Sequence, residues 1–140
     1  CYAVGAVLVS LGDDVQVTAA EQHLSSRDVD LTSTATLESA RGRAQIVGSF
    51  EQPESQGWTV TADGFALSLD HHAFTSWHES SALRVERDGH ETVETFDACD
   101  PYRLMVEAVS RRIRGGDDWV LPLSTSYAVA RSLDAISAAS

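Results

Sequence analysis

Along residues 29–50, apolar or small side chains at Val29, Leu31, Ala35 and Leu37 alternate with Asp30, Thr32, Thr34, Thr36 and Glu38. Successive side chains of a strand point to opposite faces, so this period predicts a half-buried strand with one apolar and one largely threonine face. A two-residue turn at Arg41-Gly42 would set Leu37 opposite Ile46, Ala35 opposite Gly48 and Ser33 opposite Phe50, keeping the apolar residues of both strands together. A second hairpin is as well specified. Trp58, Val60 and Ala62 alternate with Thr59 and Thr61, Asp63-Gly64 supplies the turn, and Phe65, Leu67 and Leu69 return opposite Ala62, Val60 and Trp58. In a third, Leu83, Val85 and Arg87 lead to Asp88-Gly89, where a three-residue loop with a bulge would bring Val85 opposite Val93.

Helices flank these hairpins. Tyr2, Ala3, Ala6, Val7, Leu8 and Leu11 before Gly12-Asp13-Asp14 read as a buried helix stopped at Gly12, although the valines also suit a buried strand. Val15, Val17 and Ala19 alternate with Gln16 and Thr18 in a first strand reaching about Leu24, and Ser25 to Asp28 is a polar break. Asp100-Pro101 opens a helix with an N-cap acid and proline in the first turn. Tyr102, Met105, Val106, Val109 and Ile113 mark its expected buried face, and Arg111, Arg112 and Arg114 suit the negative end of its dipole. A last helix, capped near Ser124, would bury Val129, Ala130, Leu133 and Ile136. The order of helix, strands and two helices predicts an α+β fold. We expect an open, largely antiparallel β-sheet with helices on one face, in a single domain over residues 1–140.

Charge narrows the partners. Twenty-one acids against ten bases give a net charge of −11, the opposite of a phosphate-binding surface, so no nucleic acid is expected. All ten bases are arginines; without lysine the chain carries no Schiff-base chemistry. The apolar run Tyr2–Leu11 is shorter than the ~20 residues a membrane span needs, so no membrane partner is expected. Cys1 and Cys99, with no CxxC spacing, suit a reducing, cytoplasmic location. The abrupt apolar start without methionine suggests a piece of something longer.

Little in the motifs points to chemistry. His71 and His72 would face opposite sides of a strand, so even with His78 nearby no metal site is expected. Asp13-Asp14 and Asp117-Asp118 sit beside glycines as turn residues. The nine glycines form neither GxGxxG nor a P-loop, so this chain should bind neither NAD nor NADP.

An ordered set of features carries a resemblance. Asp100-Pro101-Tyr102, a helix ending at Arg114-Gly115, a proline-containing loop and a helix carrying Leu133-Asp134-Ala135-Ile136 before Ser137-Ala138 resemble the C-terminal end of Gfo/Idh/MocA-type oxidoreductases. Upstream, Val29-Asp30, the turn at Gly42, and Asp63-Gly64 before Leu67-Ser68-Leu69 look like that family's sheet. The resemblance covers nearly the whole chain. It implies a substrate-binding and oligomerisation domain of an oxidoreductase acting on a sugar, polyol or cyclitol hydroxyl. The full-length parent would carry an N-terminal Rossmann domain with NAD or NADP, so this chain alone is expected to be inactive.

Cys1-Tyr2 is similar to the end of the family's glycine-rich segment, in which an Asp-x-Gly-x-Tyr or -His run supplies a catalytic side chain. By that resemblance Tyr2 is the catalytic candidate. The aspartate and glycines of that segment, and the family's Glu-Lys-Pro lysine, are not in the sequence. The resemblance further implies a homodimer through the sheet, and the polar face with Thr32, Thr34, Thr36, Thr59 and Thr61 is the expected surface. The alternative is a non-enzymatic small-ligand-binding or dimerisation module of the NTF2-like type.

Overall fold

The computed structural model describes residues 1–70, 72–75 and 77–139, with Asp70 described by its backbone alone. In chain order the elements are α1 (Tyr2–Leu11), β1 (Gln16–Leu24), β2 (Asp30–Ser39), β3 (Gly42–Ser49), β4 (Trp58–Ala62), β5 (Phe65–Asp70), β6 (Ser81–Arg87), β7 (His90–Phe96), α2 (Pro101–Ile113) and α3 (Leu123–Ala138). The expected α+β class holds. The strands form two antiparallel sheets, β1-β2-β3 and β4-β5-β6-β7, in place of one. They belong to two compact units, residues 1–53 with 121–140, and residues 54–120.

In the first unit α1 and α3 pack on each other and on the sheet. The core is Val4, Val7 and Leu8 of α1, Val15, Ala35 and Leu37 of the strand region, and Ala128 and Ile136 of α3. Leu37 is completely buried. Helix α1 stops where expected: Gly12 adopts φ 91°, which a residue with a Cβ avoids, and its N–H donates to the Leu8 carbonyl at 2.8 Å. The turn after it is more than solvated. Asp13 accepts from Thr125 Oγ1 at 2.9 Å through its carboxylate and from Arg131 at 2.9 Å through its carbonyl, fastening α3 to the start of β1.

Three details depart from the pattern. The β2–β3 turn is Ala40-Arg41, so Leu37 faces Ala44, Ala35 faces Ile46 and Ser33 faces Gly48. The pairing is displaced by two residues from the expected register, and a displacement of two leaves every side chain on its expected face. On β1 a bulge between Val17 and Ala19 reverses the alternation, so Ala20 joins Val17 on the helix-covered face, where both pack against the core. Helix α3 buries Ala128, Ser132 and Ile136, with no side-chain cap. The expected Ala130 and Leu133 are exposed.

The second unit is a four-stranded meander followed by α2. Trp58, Val60 and Ala62 pair with Leu69, Leu67 and Phe65 as read from the sequence. The third hairpin needs no bulge. Asp88 (φ 51°) and Gly89 (φ 78°) both take the left-handed conformation of a two-residue turn, Val85 faces Thr92, and Val93 faces Arg84. Asp100 caps α2 as expected, accepting from Tyr102 N at 2.9 Å and Arg103 N at 3.0 Å. Its expected apolar face is not buried, however. Tyr102, Met105, Val106, Val109 and Ile113 are all exposed, and no described residue of this unit is buried.

Candidate functional site

A cleft of about 270 Å³ opens in the first unit, at the N-terminal end of α1. Its walls are apolar: Val4, Ala35, Ile46, Leu133, Ile136 and Phe50 among others. The helix-facing side of the sheet changes character here. Moving along β2 from the core, buried Leu37 and Ala35 give way to Ser33, whose neighbours across the ladder are Gln22 on β1 and Gly48 on β3. Gly48 leaves the floor open, since a Cβ there would meet nothing within 4 Å.

The polar residues of this floor are joined. Gln22 Nε2 donates to Ser33 Oγ at 3.2 Å, and Ser33 Oγ donates to Asp30 Oδ2 at 3.0 Å. A serine hydroxyl has one proton, and Asp30 takes it. The carboxylate, with room for roughly four hydrogen bonds, keeps acceptor capacity toward the cleft. No arginine or histidine lines the cleft, and Asp30 is its charged side chain. An apolar cavity with a few convergent polar groups is the usual form of a small-molecule site.

Tyr2 is the first residue of α1 and half exposed. Its neighbour Cys1 lines the cleft, whereas Tyr2 is not among the lining residues. The sequence pointed to Tyr2, beside the cleft, and did not single out Gln22, Asp30 and Ser33. A signal existed, since Ser33 interrupts the apolar positions Leu31, Ala35 and Leu37. On β1 the bulge hid which face Gln22 occupies.

The open face of the same sheet carries a second polar network. His23 Nδ1 lies 2.8 Å from Glu51 Oε2, Thr32 Oγ1 donates to that oxygen at 3.0 Å, and Thr32 and Ser49 hydroxyls meet at 2.7 Å. The hydrogen bonds from His23 and then Thr32 hold the Glu51 carboxyl below its ordinary pKa. The threonine stripe is divided between the units: Thr32, Thr34 and Thr36 lie on β2, Thr59 and Thr61 on β4, and Thr36 is buried.

In the second unit a shallow hollow is lined by Glu54, Ser55, Gln56 and His72. Gln56 Oε1 accepts from the backbone N–H groups of Phe74 (3.1 Å) and Thr75 (3.0 Å), and His72 Nε2 lies 3.2 Å from Glu79. His71 is outside the described residues. Among the described residues no three His, Cys, Asp or Glu side chains are grouped to hold a metal ion, and no helix is long and apolar enough to cross a membrane.

No protein-family profile matches the sequence. Over 97% of its length the chain is 34% identical to D-xylose 1-dehydrogenase (NADP(+)) 2 of Haloferax volcanii, of which it spans 42%. Its fold matches KijD10, a 3-ketoreductase from Actinomadura kijaniata solved with NADP, at a TM-score of 0.77 and 20% identity, covering 99% of this chain and 45% of that one. The dehydrogenase MviM of Clostridium difficile matches at a TM-score of 0.68 and 8% identity, covering 98% of this chain and 45% of its own. The chain thus spans less than half the length of the proteins it matches. Identities of 20% and 8% establish a shared fold, while 34% identity along almost the whole chain establishes relationship. The identity and the shared fold bear out the resemblance carried by the ordered motifs: the chain is similar to the C-terminal portion of Gfo/Idh/MocA-type oxidoreductases such as these.

Proposed function

We propose that the chain is the substrate-facing C-terminal domain of an NAD(P)-dependent oxidoreductase acting on a sugar, polyol or cyclitol hydroxyl. The carrying observation is the 34% identity, along 97% of the chain, to an NADP-dependent D-xylose dehydrogenase. The same identity disfavours the alternative of a non-enzymatic binding module.

The residues present do not fit a dinucleotide. No glycine-rich turn brings phosphate to a helix start, and the cleft is lined by no arginine, lysine or histidine side chain. The cofactor on this reading is held by a part of the longer protein outside this chain, and this chain alone turns nothing over. Oxidation of a hydroxyl separates into loss of hydride from carbon and of a proton from oxygen. Only the proton concerns the residues here, and Tyr2 is the proposed proton-transfer residue. A phenol with a reference pKa of about 10 is a weak base at neutral pH, so a neighbouring cation must favour its ionised form. In the family resembled, that cation is a lysine, which this chain does not contain.

The test is reduction of NADP or NAD by the longer protein with D-xylose and related polyols, followed by absorbance. Tyr2→Phe keeps the ring and removes the titrating hydroxyl, so kcat should fall by about 10²–10⁴ with cofactor affinity unchanged. Undiminished kcat would remove Tyr2 from the reaction; no dinucleotide reduction with any sugar or polyol would remove the activity. We further propose a cytoplasmic homodimer joined through the open face of the β1–β3 sheet, where Thr32 and Thr34 lie and no helix of this unit packs. Monomeric sedimentation at high micromolar concentration would count against it.

A further inference from the structure

We propose that β7 is a self-pairing edge: a second copy of the chain adds its own β7 antiparallel to it about a two-fold axis at Val93, joining two four-stranded meanders into one continuous sheet. This contact is separate from the open face of the β1–β3 sheet and does not rest on the oxidoreductase reading.

Three observations carry it. First, the edge is open and regular. β7 is last in the order β4-β5-β6-β7, all seven of its residues are exposed, and no bulge interrupts its pairing with β6 from Ser81 opposite Phe96 to Arg87 opposite His90. Edge strands are commonly guarded against pairing by lysine, proline or a bulge, and β7 has none of these. By contrast β1 is an edge with two register shifts, and β4 is an edge of five residues.

Second, the backbone of β7 is in phase for a two-fold partner. The two-residue turn Asp88-Gly89 makes Arg87 and His90 a pair that exchanges both hydrogen bonds, so Thr92, Glu94 and Phe96 also turn their N–H and C=O groups toward β6. Those of Glu91, Val93 and Thr95 therefore point away from the sheet. A copy laid antiparallel about Val93 presents the same three residues in return, which makes about six new hydrogen bonds.

Third, the side chains are self-complementary in that register. The run His-Glu-Thr-Val-Glu-Thr-Phe sets Glu91 opposite the second copy's Thr95, Thr92 opposite its Glu94, His90 opposite its Phe96 and Val93 opposite its Val93. No like charges stand directly opposite each other, the arrangement that destabilises a strand pair. Val93 ends the row Thr59, Ser68, Arg84 on the polar side of the sheet and is 48% exposed, and its counterpart would cover it. Arg84 lies 3.8 Å from Glu91 and offsets part of its charge. The two Glu94 side chains would be diagonal neighbours, about 7–8 Å apart, a repulsion that salt screens. Salt therefore separates the possible occupants: it strengthens the pairing of two acidic edges and weakens the addition of a basic strand.

The test is sedimentation of the longer protein that carries this chain, in 0.1 M and 1 M KCl, where the Debye length falls from about 10 Å to about 3 Å. Association should tighten at least tenfold in the higher salt, and Glu91→Gln with Glu94→Gln should give a similar gain at 0.1 M. Val93→Pro removes an N–H that faces outward and leaves the ladder to β6 whole, so it should halve the assembled mass at 1 M KCl with circular dichroism unchanged. Val93→Cys should cross-link two copies under mild oxidation, because such paired residues have Cα atoms about 5.5 Å apart, within disulfide reach. Glu91→Cys, set opposite Thr95, should cross-link no more than the unchanged protein, which already carries Cys1 and Cys99. A mass that Val93→Pro leaves as it was, or a Val93→Cys variant that does not cross-link, would each overturn the proposal. Association that 1 M KCl weakens would overturn it too, and would assign the edge to an extended basic segment.

Discussion

The two units share a vocabulary and differ in what they cover. Each is an antiparallel meander with alternating strands and an amphipathic helix, yet residues 1–53 with 121–140 bury a core around Leu37, while no described residue of 54–120 is buried. Helix α1 has apolar residues nearly all round and is buried on three of them, Val4, Val7 and Leu8. Helix α2 has the cleaner stripe and buries none. An amphipathic pattern thus states that a helix has an apolar face, without saying that this chain supplies the cover.

Stability should divide along the same line. Leu37→Ala removes the most buried side chain and leaves a cavity, so the first unit should lose about 2–5 kcal/mol, read as a shift in the urea midpoint by circular dichroism. Val106→Ala in α2, at 58% exposure, should change stability by less than about 0.5 kcal/mol. Equal losses at both positions would mean that α2 is covered in solution, which would break the contrast between the units.

What the sequence made legible follows the same division. Elements were legible because their signals are local: Gly12 after α1, Asp100-Pro101 before α2, and the Trp58 hairpin with its register. Burial was legible only in part, because it depends on partners: Leu37, Val7 and Ile136 are buried as expected, whereas Ala128 and Ser132 face the core on α3 where larger Leu133 does not. The cleft was not read from the sequence: Tyr2 lies beside it without lining it, and Gln22 reaches the floor through a bulge at Val17/Ala19 that no local pattern announces.

The N-cap provides the next largest test. Asp100 satisfies two N–H groups of α2 in the unit without a core, so Asp100→Ala should reduce stability by about 1 kcal/mol. Amide exchange should speed up at the start of α2 and stay unchanged in β2. A response spread over both units would show that they unfold together.

Salt should act more weakly, and unequally. Residues 54–120 carry thirteen acids against six arginines, the rest of the chain eight against four. Screening of self-repulsion is therefore worth more to the second unit. Raising KCl from 0.1 to 1 M shortens the Debye length from about 10 Å to about 3 Å, and exchange in β6 and β7 should slow more than in β2. Equal slowing would point to a general salt effect and away from charge repulsion.

The smallest effect concerns Glu51 on the open sheet face, where hydrogen bonds from His23 and Thr32 hold its carboxyl below the ordinary value. A depressed folded-state pKa contributes stability above the unfolded-state value, near 4.3 for a glutamate. That contribution fades as pH falls through the depressed value, so the window lies on the acid side of about pH 5. Both partners are well exposed, and solvent screening keeps the contribution small. A carboxyl-carbon titration by NMR should place Glu51 below the ordinary glutamate value, and Thr32→Val should bring it back up. If Thr32→Val leaves Glu51 where it was, the His23 contact alone sets the shift. If Glu51 titrates at the ordinary glutamate value, the hydrogen-bonded network of His23, Thr32 and Glu51 is absent in solution.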